Sequence, residues 1–241
     1  METLPLIQLG FVITTIGSYS LFFLLLRQSI RAVNFSPAKE KKVFIGCLAA
    51  IIGWTIVISV LSLIGFFNNF QTIPPRLVIV LIVPLIAIIW AIYTDTGKEI
   101  IKHSNTHSVI YLQSFRIAVE ILLWMLFLQD LLPVQLTLEG RNFDILSGLT
   151  APIVGFLLAR RKVPGFVVIL WNFVCLGLLI NVVSMAILSM PTPFRMFLND
   201  PANTVVATFP VVWLPGLLVP LAYGLHFFSL RQLFQGRNTV D

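Results

Sequence analysis

Gln113, Arg116 and Glu120 lie in an otherwise apolar run, "YLQSFRIAVEILLW", residues 111–124. At about 100° per residue a helix brings Gln113 and Glu120 within about 20° of each other and Arg116 within about 60°, so the three form one polar stripe. A charge at the centre of a membrane span costs roughly 2.5 to 3.5 kcal/mol and therefore faces a bundle interior or an aqueous cavity. With the helix starting near Val109, a rise of about 1.5 Å per residue puts Arg116 roughly 10 Å deep and Glu120 roughly 16 Å deep. The long Arg116 stem can snorkel back to the surface; the short Glu120 stem cannot. Two chemistries fit: an Arg116–Glu120 pair that neutralises both charges, or proton or cation coupling at a desolvated Glu120.

Other apolar segments supply partners at similar depth. Asn172 falls about 12 Å from the cytoplasmic end of its segment, and Tyr223 and His226 fall about 10 and 6 Å from the same end of theirs, which outlines a cytoplasm-facing polar pocket. Asn181 is half a turn away from Asn172 on the helical wheel, so the two serve different contacts. Amides of this kind are common interhelical glue. His103 and His107 are four apart, yet no carboxylate completes a zinc motif. Cys47 and Cys175 read as small core residues. No metal and no cofactor is expected.

A second polar group borders the apolar segments on the other side. "LEGRNFDILSG" and "PTPFRMFLNDPANT" gather Glu139, Arg141, Asp144, Arg195 and Asp200, with Asp130 close by, into an outer-face cluster. Asn142 and Asp144 suit the start of a helix, where an amide and a carboxylate complement orphan N–H groups and the dipole. An enzyme acting on lipid or cell-wall precursors would require clustered histidines, paired aspartates or a nucleophile with its base, and none is there. Pro210, Pro215 and Pro220, with Gly216, mark a hinge, since each proline removes a backbone donor and clashes with the preceding turn. Pro84 and Pro152 add bends.

These residues need long apolar elements to hold them. The chain has 241 residues, 58% hydrophobic and only 11% charged, with mean hydropathy +0.96; soluble domains carry about 25% charged residues. It reads as an all-α membrane protein, one polytopic domain spanning 1–241. A crossing takes about 20 mostly apolar residues, and seven segments qualify: 5–26, 43–67, 77–93, 109–128, 143–159, 164–190 and 204–230. The first lacks a basic leader and cleavage site, and reads as a retained helix.

Charge sets the orientation. Arg27, Arg31, Lys39, Lys41, Lys42, Lys98, Lys102, Arg160, Arg161, Lys162, Arg231 and Arg237, twelve of sixteen basic residues, fall in one set of alternate loops. The positive-inside rule then gives an outside N-terminus and a cytoplasmic C-terminus. That topology also accounts for the formal charge of +6 without nucleic acid. It places the Asn34-Phe-Ser sequon in the cytoplasm, where it goes unused.

"FLLLR" closes the first helix and "FLLAR" the fifth, and "IVPL" at 82–85 is echoed by "LVPL" at 218–221. A parallel repeat in a 3+1+3 arrangement accommodates both echoes. In helix count, orientation and length this outline resembles the small seven-helix sugar carriers of the SWEET type, whose Pro-Gln signature is missing: Gln8 and Gln113 do not follow proline, and Pro152 precedes isoleucine. The retinal proteins, also seven-helical, carry a lysine in the last helix, and "FPVVWLPGLLVPLAYGLHFF" has none.

The sequence favours a small transporter or channel-like protein of a bacterial cytoplasmic membrane, passing an unidentified solute or ion by Glu120 and Arg116. An accessory subunit of a membrane complex, or a homo-oligomer, is the alternative, and an intramembrane enzyme at the outer face the third. The lipid bilayer is the common partner.

Overall fold

The computed structural model describes residues 3–237, with side chains as far as Gln235. Met1, Glu2 and the Arg237 side chain lie outside the described residues. Among the described residues every regular element is helical: α1 (Thr3–Ala32), α2 (Pro37–Leu63), α3 (Val78–Tyr93), α4 (Asp95–Lys102), α5 (Thr106–Leu112), α6 (Phe115–Phe127), α7 (Ile145–Ala159), α8 (Gly165–Leu188), a π-helical turn (Leu214–Leu218) and α9 (Val219–Arg237). Five spans are long and apolar enough to cross a membrane, with α5 and α6 counted as one, and a sixth if α3 and α4, bent by 76°, form one span. This architecture is compatible with a membrane protein.

Local chemistry sets several boundaries. Pro37 opens α2 where a missing N–H costs nothing, and Ser36 accepts from the Lys39 N–H at 3.4 Å. The Thr94 hydroxyl accepts from the Gly97 N–H at 3.0 Å and starts α4 across the bend. Pro84 and Pro152 stay inside continuous helices. The last span differs from expectation: it begins at Leu214 rather than 204, because Val205–Ala207 form an isolated 3-10 turn and Pro210 and Pro215 lack the donors a helix needs there.

Contacts between helix ends define two faces of the bundle. At one, Arg231 stacks on Tyr93 at 4.4 Å and Gln232 meets Thr106 and Ser104. We call this the basic end. At the far end, Ser62 donates to the Ala207 carbonyl at 2.7 Å and Gln135 to Ser189 at 2.9 Å.

α7 positions the site. Its buried face is Ser147, Gly148, Ala151 and Gly155, small residues that let backbones approach closely. A Cβ on Gly148 would lie 2.9 Å from the Ile117 backbone nitrogen, and one on Gly155 would lie 3.2 Å from the Tyr111 ring. α7 therefore runs antiparallel against α5 and α6, with its first turn level with Arg116. Fifteen residues rise only about 22 Å, short of a hydrocarbon core of roughly 30 Å. The chain between α6 and α7 folds inward ahead of this short helix, with Leu132, Leu136, Thr137 and Asn142 all buried. Irregular backbone at such depth is tolerated where protein covers it.

Candidate functional site

Arg116 is 2% exposed, and each of its three guanidinium nitrogens has a partner. Nε donates to Oδ2 of Asp144 at 2.7 Å, Nη2 donates to Oδ1 of the same carboxylate, and Nη1 lies 2.9 Å from Nε2 of His226. The partner is thus Asp144, not Glu120. The expected pair one turn apart on α6 gives way to a bidentate fork, whose planar geometry matches a carboxylate better than a side-by-side pair. Asp144 is buried as well. This removes it from the outer-face cluster, because the close packing of α7 carries its first turn inward.

The pattern also fixes His226. Arginine has only donors, so Nε2 accepts and the proton sits on Nδ1, which donates to Oδ1 of Asn172 at 2.9 Å. The Asn172 amide is oriented in turn by donating to the Val168 carbonyl at 2.8 Å and to Ser229 at 3.1 Å. The imidazole is neutral, and the Arg116 and Asp144 charges cancel. This is a closed network tying α6, α7, α8 and α9 together. Where the sequence outlined a cytoplasm-facing pocket, His226 bridges Arg116 and Asn172 by direct hydrogen bonds. Tyr223, half-buried, packs against the apolar core and Phe227 instead.

Gln113 donates to the Ala222 carbonyl of α9 at 3.2 Å. The polar stripe of the sequence is therefore split three ways, since Glu120 takes yet another partner. Glu120 is 5% exposed, and its Oε2 accepts from Asn142 Nδ2 at 2.6 Å. Asn142 also donates to the Leu136 carbonyl at 3.0 Å, and its Oδ1 accepts from the Asp144 N–H at 3.0 Å. The predicted amide cap is instead a side-chain turn onto the cap residue Asp144, which makes no side-chain cap bond of its own, and the Asn142 nitrogen serves the carboxylate on α6.

Glu120 faces a cavity of about 100 Å³. Its walls are apolar side chains of α3, α6, α8 and the π turn, and the polar residues on them are Glu120, Asp144 and Asn203. Leu136, Met190 and Val206 on its wall adjoin the residues that mark the far end of the bundle. Val78 and Leu81 on α3, with Val183 and Ile187 on α8, are only half-buried, which makes the gap between these helices its open side.

The proline segment borders the same cavity through Leu214, Pro215 and Val219. Pro220 cannot donate to the carbonyl of Gly216 four residues earlier; Trp54 Nε1 of α2 donates to that oxygen instead, at 3.1 Å. Tyr19 of α1 donates to the Leu217 carbonyl at 3.1 Å. Gly216 allows the approach, since a Cβ there would lie 2.6 Å from Val80 and 2.7 Å from Ile58.

Of the remaining outer-face residues, Asp130, Glu139 and Arg141 are exposed and do not converge. Glu139 accepts from Trp124 at 2.7 Å, Asn181 donates to the Arg141 carbonyl at 2.9 Å, and Arg195 pairs with Asp200 at 3.5 Å. His103 is exposed, and no cluster of metal-ligating side chains occurs among the described residues. Asn203, Tyr19 and Trp54 were not singled out from sequence.

A family model described as a domain of unknown function (DUF8737) matches residues 74–234, more than half of the chain. The chain belongs to this family. The DUF8737 region contains Arg116, Glu120, Asn142, Asp144, Asn172 and His226, and every residue lining the cavity. Tyr19 and Trp54, which hold the π turn from outside, precede it. No curated protein and no solved structure matches the chain.

Proposed function

We propose that the protein is a small multi-pass membrane carrier in which Glu120 is the exchangeable group and the Arg116–Asp144–His226–Asn172 network is the fixed frame. In this reading α1, α2, α3, α5–α6, α7, α8 and the π turn with α9 make seven crossings, with α4 at the interface, the N-terminus outside and the basic end in the cytoplasm. The concentration of lysine and arginine at that end supports the orientation.

One observation carries the functional reading. A buried carboxylate has one oxygen held by Asn142 and the other facing a cavity, while the charges nearest to it are already paired. A carboxylate so placed in a membrane protein is suited to taking up and releasing a proton or cation. The Pro210, Pro215, Gly216 and Pro220 segment forms a wall of the same cavity and is the hinge of this proposal. Its Gly216 and Leu217 carbonyls are each held by one side-chain donor, so an opening movement there exchanges few bonds.

The test is transport in proteoliposomes containing an entrapped pH dye, with a panel of solutes added outside. The expected result is solute-dependent proton movement that E120Q abolishes. Equal proton movement in E120Q and the unaltered protein would overturn the role of Glu120.

A further inference from the structure

We infer that the cavity beside Glu120 is a slot for an aliphatic amine that enters sideways between α3 and α8; this rests on the carrier reading above and names its substrate class. The shape comes first. The wall follows α8 from Leu179 to Met190, a rise of about 16 Å. A volume of about 100 Å³ suits a short alkyl chain.

The polar groups on the wall come second. Asn203 is fully buried, and its Oδ1 has no hydrogen-bond partner. Its orientation is set by Nδ2, which donates to the Ala186 carbonyl at 3.0 Å, so the unpartnered atom is the acceptor. Glu120 offers its second carboxylate oxygen at the other end of the slot, and both Asp144 oxygens are occupied by Arg116. The free polar atoms are thus acceptors, and the lining contains no basic residue. Buried acceptors are costly when unmatched, and a cationic head with an apolar tail matches the Glu120 end of this wall. An ammonium group beside Glu120 gains a charge-assisted hydrogen bond, while the chain lies along Leu123, Val182 and Leu214 toward Met190.

The half-buried Val78, Leu81, Val183 and Ile187 mark the entrance. An apolar entrance on the flank of the bundle suits a ligand that partitions from the bilayer with its chain already desolvated.

The experiment is titration calorimetry on the full chain in lipid nanodiscs with n-hexylamine, n-hexanol and hexanoate, with empty nanodiscs as the baseline. Hexylamine is expected to bind saturably and at least tenfold more tightly than hexanol, with hexanoate weakest. E120Q is expected to bring hexylamine and hexanol within about twofold of each other, and Ala186→Phe, which fills the slot, to abolish both. Should hexanol or hexanoate bind as tightly as the amine, with Ala186→Phe still blocking, the amine class is wrong and the slot stands. Should no compound bind the folded protein beyond the empty-nanodisc baseline, the slot itself is refuted, and the role of Glu120 in proton movement is then judged by the proteoliposome assay alone.

Discussion

Arg116 and Glu120 sit one turn apart on α6, and both are buried, yet they inhabit opposite situations. Every nitrogen of Arg116 has a partner, a bidentate carboxylate on α7 and a histidine on α9. Glu120 has a partner on one oxygen and a cavity on the other. Burial by itself does not tell a structural charge from a working one. What separates them is engagement: a group whose every polar atom is held by the fold has little left to offer a ligand.

The comparison breaks most visibly at the engaged end. Arg116→Ala or Asp144→Ala leaves its partner as an uncompensated buried charge and is expected to destabilise the protein by about 3 to 5 kcal/mol. Thermal denaturation in detergent checks this. The double replacement Arg116→Met with Asp144→Leu removes both charges and is expected to recover most of that loss. A double variant no better than either single one would mean that the pair does more than satisfy itself.

His226→Ala comes next. It strips the acceptor from Arg116 Nη1 and the donor from Asn172 Oδ1, with an expected loss of about 1 to 3 kcal/mol, read in the same denaturation assay. Outside the network, Trp54→Phe removes the donor that replaces the missing Pro220 N–H. Hydrogen bonds between membrane helices average about 0.6 kcal/mol, and a shift of that size is expected.

Glu120→Gln is the smallest change and the one that sharpens the contrast most. The amide oxygen still accepts from Asn142 and no charge is left unpaired, so the loss of stability is expected to stay well below the roughly 3 to 5 kcal/mol of Arg116→Ala. A loss approaching that of Arg116→Ala would erase the distinction between the two charges.

Much of this was legible in the sequence. Each of the seven apolar segments contains helix, although only five or six spans are long and apolar enough to cross a membrane, and Glu120 stood out by depth and stem length alone. Counting rise from a common end gave Asn172 and His226 a depth similar to that of the charged stripe, as possible partners, but not their contact with each other and Arg116. The partners of the two charges were not legible. Asp144 and Asn142 read as surface caps, because nothing in the order of residues states how deeply the chain between α6 and α7 folds inward. The signal was there in two pieces: a fifth segment too short to cross, and Ser147, Ala151 and Gly155 at four-residue spacing, which mark a helix that packs backbone to backbone. Together they draw the start of α7 into the bundle. Pro220 announced an orphaned carbonyl, but the donor, Trp54 on α2, lies 162 residues from Gly216, a separation that local pattern does not bridge. The cavity was illegible for a related reason, since its walls come from α3, α6, α8 and the π turn at once.

The account rests on the claim that Glu120 is open to a ligand and Asp144 is not. A hydrophobic carbodiimide adds to the protonated form of a carboxyl that it can reach from the membrane, and peptide mass spectrometry locates the adduct. The prediction is labelling at Glu120 that quickens as pH falls, with Asp144, closed in by Arg116, left unmodified. Labelling of Asp144 at a comparable rate, or an unlabelled Glu120 in the folded protein, would contradict it.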